Sequence, residues 1–337
     1  MRIVSLFPSA TELVVDLGLG GQLVGISHQC TWPPSVQHLP RVTKSLVEVG
    51  DTPREISLAM ARHQARGLPT YAVDGELLAR LRPDVVLAQD VCEICAVPER
   101  VALATLAEVL PSARLLTLDA LRLADVIANI TTAGTALGAA ERARQLVGEL
   151  EGRLAAVRRR VAGRPRPRVF IIEWVEPIIG SGHWVPDLVE AAGGECLLTA
   201  PGAASRVVPW DEVVRARPEV IFVAPCGRAL AEATADAALL ASLPGWHDLP
   251  AVRDGRVYVL DGSVCSRHGP RTVDVAETFA RLLHPDAGWQ GPPPVAVRSW
   301  HDTAAPGRGV ATKRPRGRRP LGAVFSTQLA PPTTQSV

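Results

Sequence analysis

Glu76-Leu-Leu-Ala-Arg-Leu-Arg-Pro83-Asp-Val-Val-Leu-Ala88 has a near copy in Asp211-Glu-Val-Val-Arg-Ala-Arg-Pro218-Glu-Val-Ile-Phe-Val223, 135 positions later. Each copy reads as a short amphipathic helix stopped by Arg-Pro and followed by a continuous apolar strand. A second echo pairs Glu12-Leu-Val-Val-Asp-Leu-Gly18 with Asp187-Leu-Val-Glu-Ala-Ala-Gly193, both ending in a glycine that closes a helix. A unit written twice predicts two similar α/β lobes. Twin lobes leave a cleft between them, and domain interfaces are where small ligands usually bind.

The chain has 337 residues, 47% of them hydrophobic and 21% charged, enough for one or two ordinary cores. No stretch approaches the ~20 unbroken apolar residues that a membrane helix requires. Met1-Arg2 runs directly into an apolar strand with no signal-peptide h-region, so the chain as written reads as cytoplasmic. A true start upstream of Met1 would make it extracytoplasmic. Net charge is +2, but residues 291–337 hold seven Lys/Arg against one Asp, which leaves −4 for the part before them. The basicity belongs to the tail, and no nucleic-acid partner is expected for the core.

Strands near 3–6, 22–26, 84–88 and 113–117 alternate with helices near 9–17, 74–82 and 98–110. Ser9-Ala-Thr-Glu12 reads as a capping box at the first helix start. This pattern implies a mainly parallel sheet covered on both faces in residues 1–119. From Leu121 to Val161 apolar residues recur at three- and four-residue spacing, so residues 120–163 read as one long linking helix, about 38 helical residues spanning roughly 57 Å, with Gly134 and Gly138 as weak points. Residues 164–286 form the second lobe, with strands 168–172, 219–224 and 256–260 and helices 185–192, 210–216, 229–242 and 271–284. Residues 287–337, rich in proline and arginine, read as a disordered basic tail.

Ligands of doubly wound sheets sit beyond the carboxyl ends of the strands. There this chain collects Phe7-Pro8, His28, Gln89-Asp90, Cys92, Glu173-Trp174, His183-Trp184 and Arg267. Among only 14 aromatic residues, four (Phe7, Trp32, Trp174, Trp184) fall in these loops, which points to a flat, partly apolar ligand. The six cysteines are too scattered for a disulfide framework. Cys92 and Cys95 form a Cys-x-x-Cys half-site, and with His28 and Cys265 they offer an alternative: a metal-binding protein or an enzyme. No nucleophile elbow, phosphate loop or His-Glu-x-x-His motif is present.

The opening Arg2-Ile-Val-Ser-Leu-Phe-Pro-Ser-Ala-Thr-Glu12, the two Arg-Pro-acid strand entries and Arg267-His-Gly-Pro-Arg271 resemble the vitamin B12 (cobalamin) and iron-siderophore binding proteins of ABC importers. The resemblance covers about residues 2–285. Gln89-Asp-Val-Cys92-Glu-Ile-Cys95-Ala and Gly182-His-Trp-Val-Pro186 are similar to a subgroup often labelled cobalamin-binding. It implies a class III periplasmic-binding-protein fold, two Rossmann-like lobes joined by a long helix, with no catalysis, no intrinsic cofactor and a cobalamin-like corrinoid as ligand. Phe7, Trp174 and Trp184 would offer apolar faces, Gln89, Asp90, Glu173 and Arg267 would bond peripheral amides, and His28 or His183 would approach the metal. It further implies a monomer that docks on an ABC permease through Glu76 and Asp211, one acid per lobe.

Overall fold

The computed structural model describes residues 1–91, 97 and 99–302. The first lobe runs β1 (Ile3–Ser5), α1 (Pro8–Asp16), β2 (Leu23–Ile26), β3 (Thr43–Ser45), α2 (Pro53–Gln64), β4 (Tyr71–Val73), α3 (Gly75–Leu81), β5 (Val85–Ala88), α4 (Glu99–Val109) and β6 (Arg114–Thr117). Two helices follow, α5 (Leu123–Ala136) and α6 (Ala140–Val161). The second lobe runs β7 (Arg168–Val175), β8 (Ile178–Gly180), α7 (Val185–Ala191), β9 (Glu195–Cys196), β10 (Arg206–Val207), α8 (Trp210–Ala216), β11 (Val220–Val223), α9 (Leu230–Ala237), α10 (Pro250–Arg253), β12 (Val257–Leu260), α11 (Gly262–Cys265), α12 (Thr272–Leu283) and β13 (Val297–Ser299). The first sheet is all parallel in the order β2-β1-β5-β6. In the second sheet, ordered β10-β8-β7-β11-β12-β13, β7, β11 and β12 are parallel and β8, β10 and β13 antiparallel.

The duplicated units carry the same bonds twice. Arg82 and Arg217 both end their helices in left-handed backbone, at φ 45° and 47°. The acid after each proline then reaches across to the first strand of its sheet: Asp84 Oδ2 accepts from the Arg2 N–H at 2.6 Å, and Glu219 Oε2 accepts from the Arg168 N–H at 2.8 Å. The Arg2 and Arg168 guanidiniums turn back onto the terminal carbonyls of α3 and α8, satisfying acceptors that a helix end leaves open. After α1 and α7, Gly18 and Gly193 both take positive φ, and the N–H of the following residue closes a six-residue loop onto Val14 and Val189. Both lobes are thus stitched from helix end to strand start by one rule.

Three expectations change. The linking segment is two helices, because Gly138 (φ +74°) ends the first: the Ala139 N–H bonds Gly134 O at 2.7 Å and the Gly138 N–H bonds Thr135 O at 3.3 Å. α6 then spans ~33 Å, less than the single-helix length. Its buried stripe, Leu146, Leu150, Leu154, Val157 and Val161, joins residues of both lobes in one apolar core that includes Val14, Val189 and Phe279. Ser9-Ala-Thr-Glu12 is not a capping box; Phe7 is the N-cap, without a side-chain bond, and Glu12 is buried elsewhere. Residues 287–302 are not disordered. β13 pairs antiparallel with β12, and Trp300, buried against Trp246 at 5.3 Å, donates its indole N–H to Ala237 O at 3.0 Å. The proline run at 292–294 hid this strand. Residues 303–337 lie outside the described residues, as does that part of the tail reading.

The α5–α6 turn can be tested by adding a methyl group. A Cβ on Gly134 would collide with the Ala143 side chain, whereas a Cβ on Gly148, on the exposed face of α6, meets nothing within 4 Å. Gly134→Ala should cost about 1–3 kcal/mol by overpacking and Gly148→Ala should add about 0.5–1 kcal/mol, read from denaturant unfolding. Equal stability of the two variants would refute the close approach.

Candidate ligand-binding site

The carboxyl ends of β1, β2 and β5 face those of β11 and β12, together with the turn after β8, across a cavity of about 1500 Å³. Phe7, Pro8, His28, Gln89, Glu173, His183, Trp184 and Arg267, expected as ligand residues, all line it, and so does Cys265, expected only for the metal alternative. One wall is a run of rings crossing from lobe to lobe. Phe7 stacks on His268 (5.3 Å, 21°), His268 meets Trp184 (5.2 Å), and Trp184 meets His183 (6.0 Å). His268 was quoted in the Arg-His-Gly-Pro-Arg motif but given no role; its Nε2 reaches Leu118 O of the first lobe at 3.2 Å. His183 has positive φ (53°), held by its N–H on Ala203 O at 2.6 Å and by the Gly202 N–H on its own carbonyl at 2.9 Å. Such backbone strain is kept where surroundings fix it, often at ligand sites.

Glu173 reaches the cavity by strand alternation: it lies inside β7 two residues after Ile171, which lines the same wall. The pairing register of β7 with β8 shifts between Ile172 and Trp174, so Glu173 is the extra residue of a bulge. Its Oε2 accepts from the Ser181 and Ser205 hydroxyls at 2.9 and 2.8 Å. Ser205 accepts the Gly182 N–H at 2.9 Å, so its single O–H is left to donate to Glu173. Burial raises the Glu173 pKa, against the lowering effect of the two hydroxyls. Neither serine was singled out from the sequence, where lone serines carry no pattern.

Trp174, the next residue in β7, does not line the cavity. It is fully buried with Ile56, Met60 and Ile179, and its N–H donates to Ser57 Oγ at 2.9 Å, so it fastens α2 of the first lobe to the second sheet. Asp90 also lies off the cavity: its N–H bonds Asp119 at 2.6 Å and its carboxylate accepts the Glu99 N–H at the start of α4. Arg267 lines the cavity, but its guanidinium is engaged by Glu12 of α1 at 2.5 Å and by Thr31 at 3.0 Å. Arg228, unnoticed in the sequence, also lines it; it is buried on Asp236 at 2.8 and 3.1 Å and reaches Asp51 O of the first lobe at 3.2 Å.

His28 Nδ1 pairs with Thr43 at 2.6 Å while Nε2 is covered and unpartnered, so this ring does not present a nitrogen to the cavity. Burial, assisted by Arg41, lowers its pKa to about 4. His268 is lowered to about 4, again chiefly by burial, and His183 is lowered for the same reason. All three are neutral at pH 7. Burial holds the Cys265 thiol protonated. Cys92 and Cys95 lie outside the described residues. Among the described residues no group of three or more His, Cys, Asp or Glu is placed to hold a metal ion.

A two-lobed α/β fold around one large interlobe cavity is the architecture of a ligand-capturing protein. Residues 3–264 match the Periplasmic binding protein family, and the chain belongs to it. It is similar to the uncharacterized ABC transporter substrate-binding lipoprotein YvrC of Bacillus subtilis, 26% identical over 85% of this chain and 80% of the relative. It is equally similar, at 26%, to a vitamin B12-binding protein of Vibrio cholerae, over 84% of this chain and 88% of that protein. A periplasmic heme binding protein from Pseudomonas aeruginosa shares the fold, with a TM-score of 0.67 at 24% identity over 88% of this chain and 98% of that one. The chain is a non-catalytic binding protein of the ABC-import class, not an enzyme. The expected cytoplasmic location finds no support, since the similar YvrC is a lipoprotein by name. No helix among the described residues is long and apolar enough to cross a membrane.

The buried titrating groups predict opposing pH dependences. Unfolded imidazoles, near 6.5, take up protons that His28 and His268 refuse until about 4, so stability falls as pH drops through that window. Glu173 acts oppositely: folded, it keeps a proton that the unfolded chain releases above about 4.5, so stability declines as pH rises through its raised pKa. Glu173→Gln removes the second trend, so the melting temperature of the variant should gain on that of the wild type as pH rises above about 4.5; a difference between the two that stays constant with pH would mean that Glu173 has no raised pKa in the folded protein.

Proposed function

We propose that this protein binds a corrinoid, or a related metal tetrapyrrole, in the interlobe cavity and hands it to an ABC permease. The observation that carries this reading is the continuous ring wall Phe7, His268, Trp184 and His183 along a cavity large enough for a macrocycle. Offset stacking on such a wall contributes about 0.5–1.5 kcal/mol per ring pair beyond burial. His183 is the imidazole that would face a bound metal: it is neutral, lines the cavity, and its ring makes no hydrogen bond among the described residues. Gln89 and Glu173 then serve the polar periphery. The vitamin B12-binding relative supports a corrinoid, and the shared fold of the heme binding protein supports a tetrapyrrole more broadly.

Docking falls to Glu76 and Asp211. Each is the second residue of its helix, α3 or α8, in the repeated unit, and each has an arginine four residues on, Arg80 at 3.9 Å and Arg215 at 2.5 Å. Both acids are exposed, so these pairs are weak and open to exchange with a partner's arginines.

Cyanocobalamin added to the full chain should shift in its visible bands and release binding heat, and Phe7→Ala or Trp184→Ala should weaken affinity about tenfold, about 1.4 kcal/mol. An unchanged spectrum with no heat at tens of micromolar would exclude the corrinoid. Reversing both docking acids, Glu76→Arg with Asp211→Arg, should abolish transport in vesicles carrying the cognate permease while leaving the calorimetric Kd unchanged. Transport at the wild-type rate would remove these acids from the interface.

A further inference from the structure

The charge around the cavity carries information about the ligand that the ring wall does not. The cations among the described lining residues are Arg228 and Arg267. Both are already neutralised. Arg228 shares both carboxylate oxygens of Asp236, the two side chains 8% and 4% exposed, and Arg267 sits on Glu12, at 10% and 2%. Asp51, Glu173, Glu232 and Asp261 line the same space, and none of them forms an ion pair among the described residues. The three lining imidazoles are uncharged at pH 7. An anionic group entering this cavity would lose hydration and meet no free cation among the described lining residues.

We infer that this cavity selects by charge: it takes a ligand whose polar periphery is neutral, made of amide or hydroxamate carbonyls, and turns away a carboxylate-bearing ligand of similar size. Glu173 is central to this preference. With Oε2 occupied by two serine hydroxyls, its second oxygen presents either a proton to a ligand carbonyl or, ionised, a negative charge that repels a carboxylate. Both states favour the amide. The paired acids Glu12 and Asp236 complete the device by keeping the two arginines out of reach of an anion. The inference rests on the reading of the cavity as a metal-chelate site and deepens it, since a corrinoid fringed by amides and a heme fringed by carboxylates differ in this property.

The full chain would be titrated calorimetrically at pH 7.5 with four probes: cyanocobalamin, hemin, a neutral ferric trihydroxamate and an anionic ferric tricarboxylate. The neutral probe that binds should bind at least about tenfold more tightly than its anionic counterpart. Glu12→Gln frees Arg267 and Asp236→Asn frees Arg228, and each should raise hemin affinity about tenfold. Should one variant fail to fold, the other makes the same test. Hemin binding as tightly as cyanocobalamin to the wild type overturns the inference, and so do folded variants with no gain for hemin. Cyanocobalamin failing while the trihydroxamate binds and the tricarboxylate does not removes the corrinoid and leaves charge selection standing. Silence from all four probes overturns both readings.

Discussion

Glu12 and Arg267 meet at 2.5 Å with almost no exposure, one from the first helix of the first lobe and the other from the loop before the last helix of the second. Burying two charges costs several kcal/mol each, and this pair offsets the cost through its mutual attraction and the Arg267 bond to Thr31. Removing Glu12 would leave Arg267 charged and dry with only the Thr31 hydroxyl as partner. The pair therefore constrains the molecule more than it stabilises it: the two sets of strand ends must face each other where this contact can form. Glu12 has its pKa raised by burial, against the pull of Arg267 and Arg271, and the neighbouring Asp16 is pushed up to about 6, first by burial and then by Glu12. Negative charge is crowded here and held by arginines from the opposite lobe.

Around that contact, each lobe contributes differently. The first lobe presents loops after short parallel strands, which is how Phe7, His28 and Gln89 arrive at the cavity. The second presents a bulged strand and a strained turn. In β7 successive side chains go to opposite sides, so Glu173 follows Ile171 to the cavity while Trp174 is packed against α2. One residue thus faces the cavity and its neighbour fixes the position of the lobe beneath it.

Much of this was legible in the sequence because duplication is a strong signal. Two Arg-Pro-acid segments predicted two helix-to-strand junctions, and the structure repeats them down to the carboxylate on the Arg2 and Arg168 amides. Strand ends located the cavity, since apolar runs followed by polar and aromatic clusters mark where a sheet stops. The failures have physical causes. Glu12 satisfied the spacing of a capping box, yet that spacing says nothing of an arginine 255 positions away. Trp174 carried the right chemistry for stacking, but it is the neighbour of Glu173 in one strand, and alternation sends adjacent side chains to opposite faces. Continuous three-and-four spacing ran through Gly138 because apolar periodicity survives a helix break when both helices bury the same side. Serines 181 and 205 were invisible, being common residues whose meaning comes only from what they touch.

The strand Val297–Ser299 has a further consequence for the chain's behaviour in solution. Without it, β12 would end the second sheet with a row of open amide and carbonyl groups on an apolar ribbon, a template for pairing with another molecule. β13 covers that row, and it is itself short, carries Arg298 at its centre and follows a run of prolines, features that discourage the next chain from joining. Residues 287–302 are thus a seam tape for the second lobe. A protein cut at the end of α12 would keep every described cavity-lining residue and expose a sticky margin, inclined to pair with a second copy.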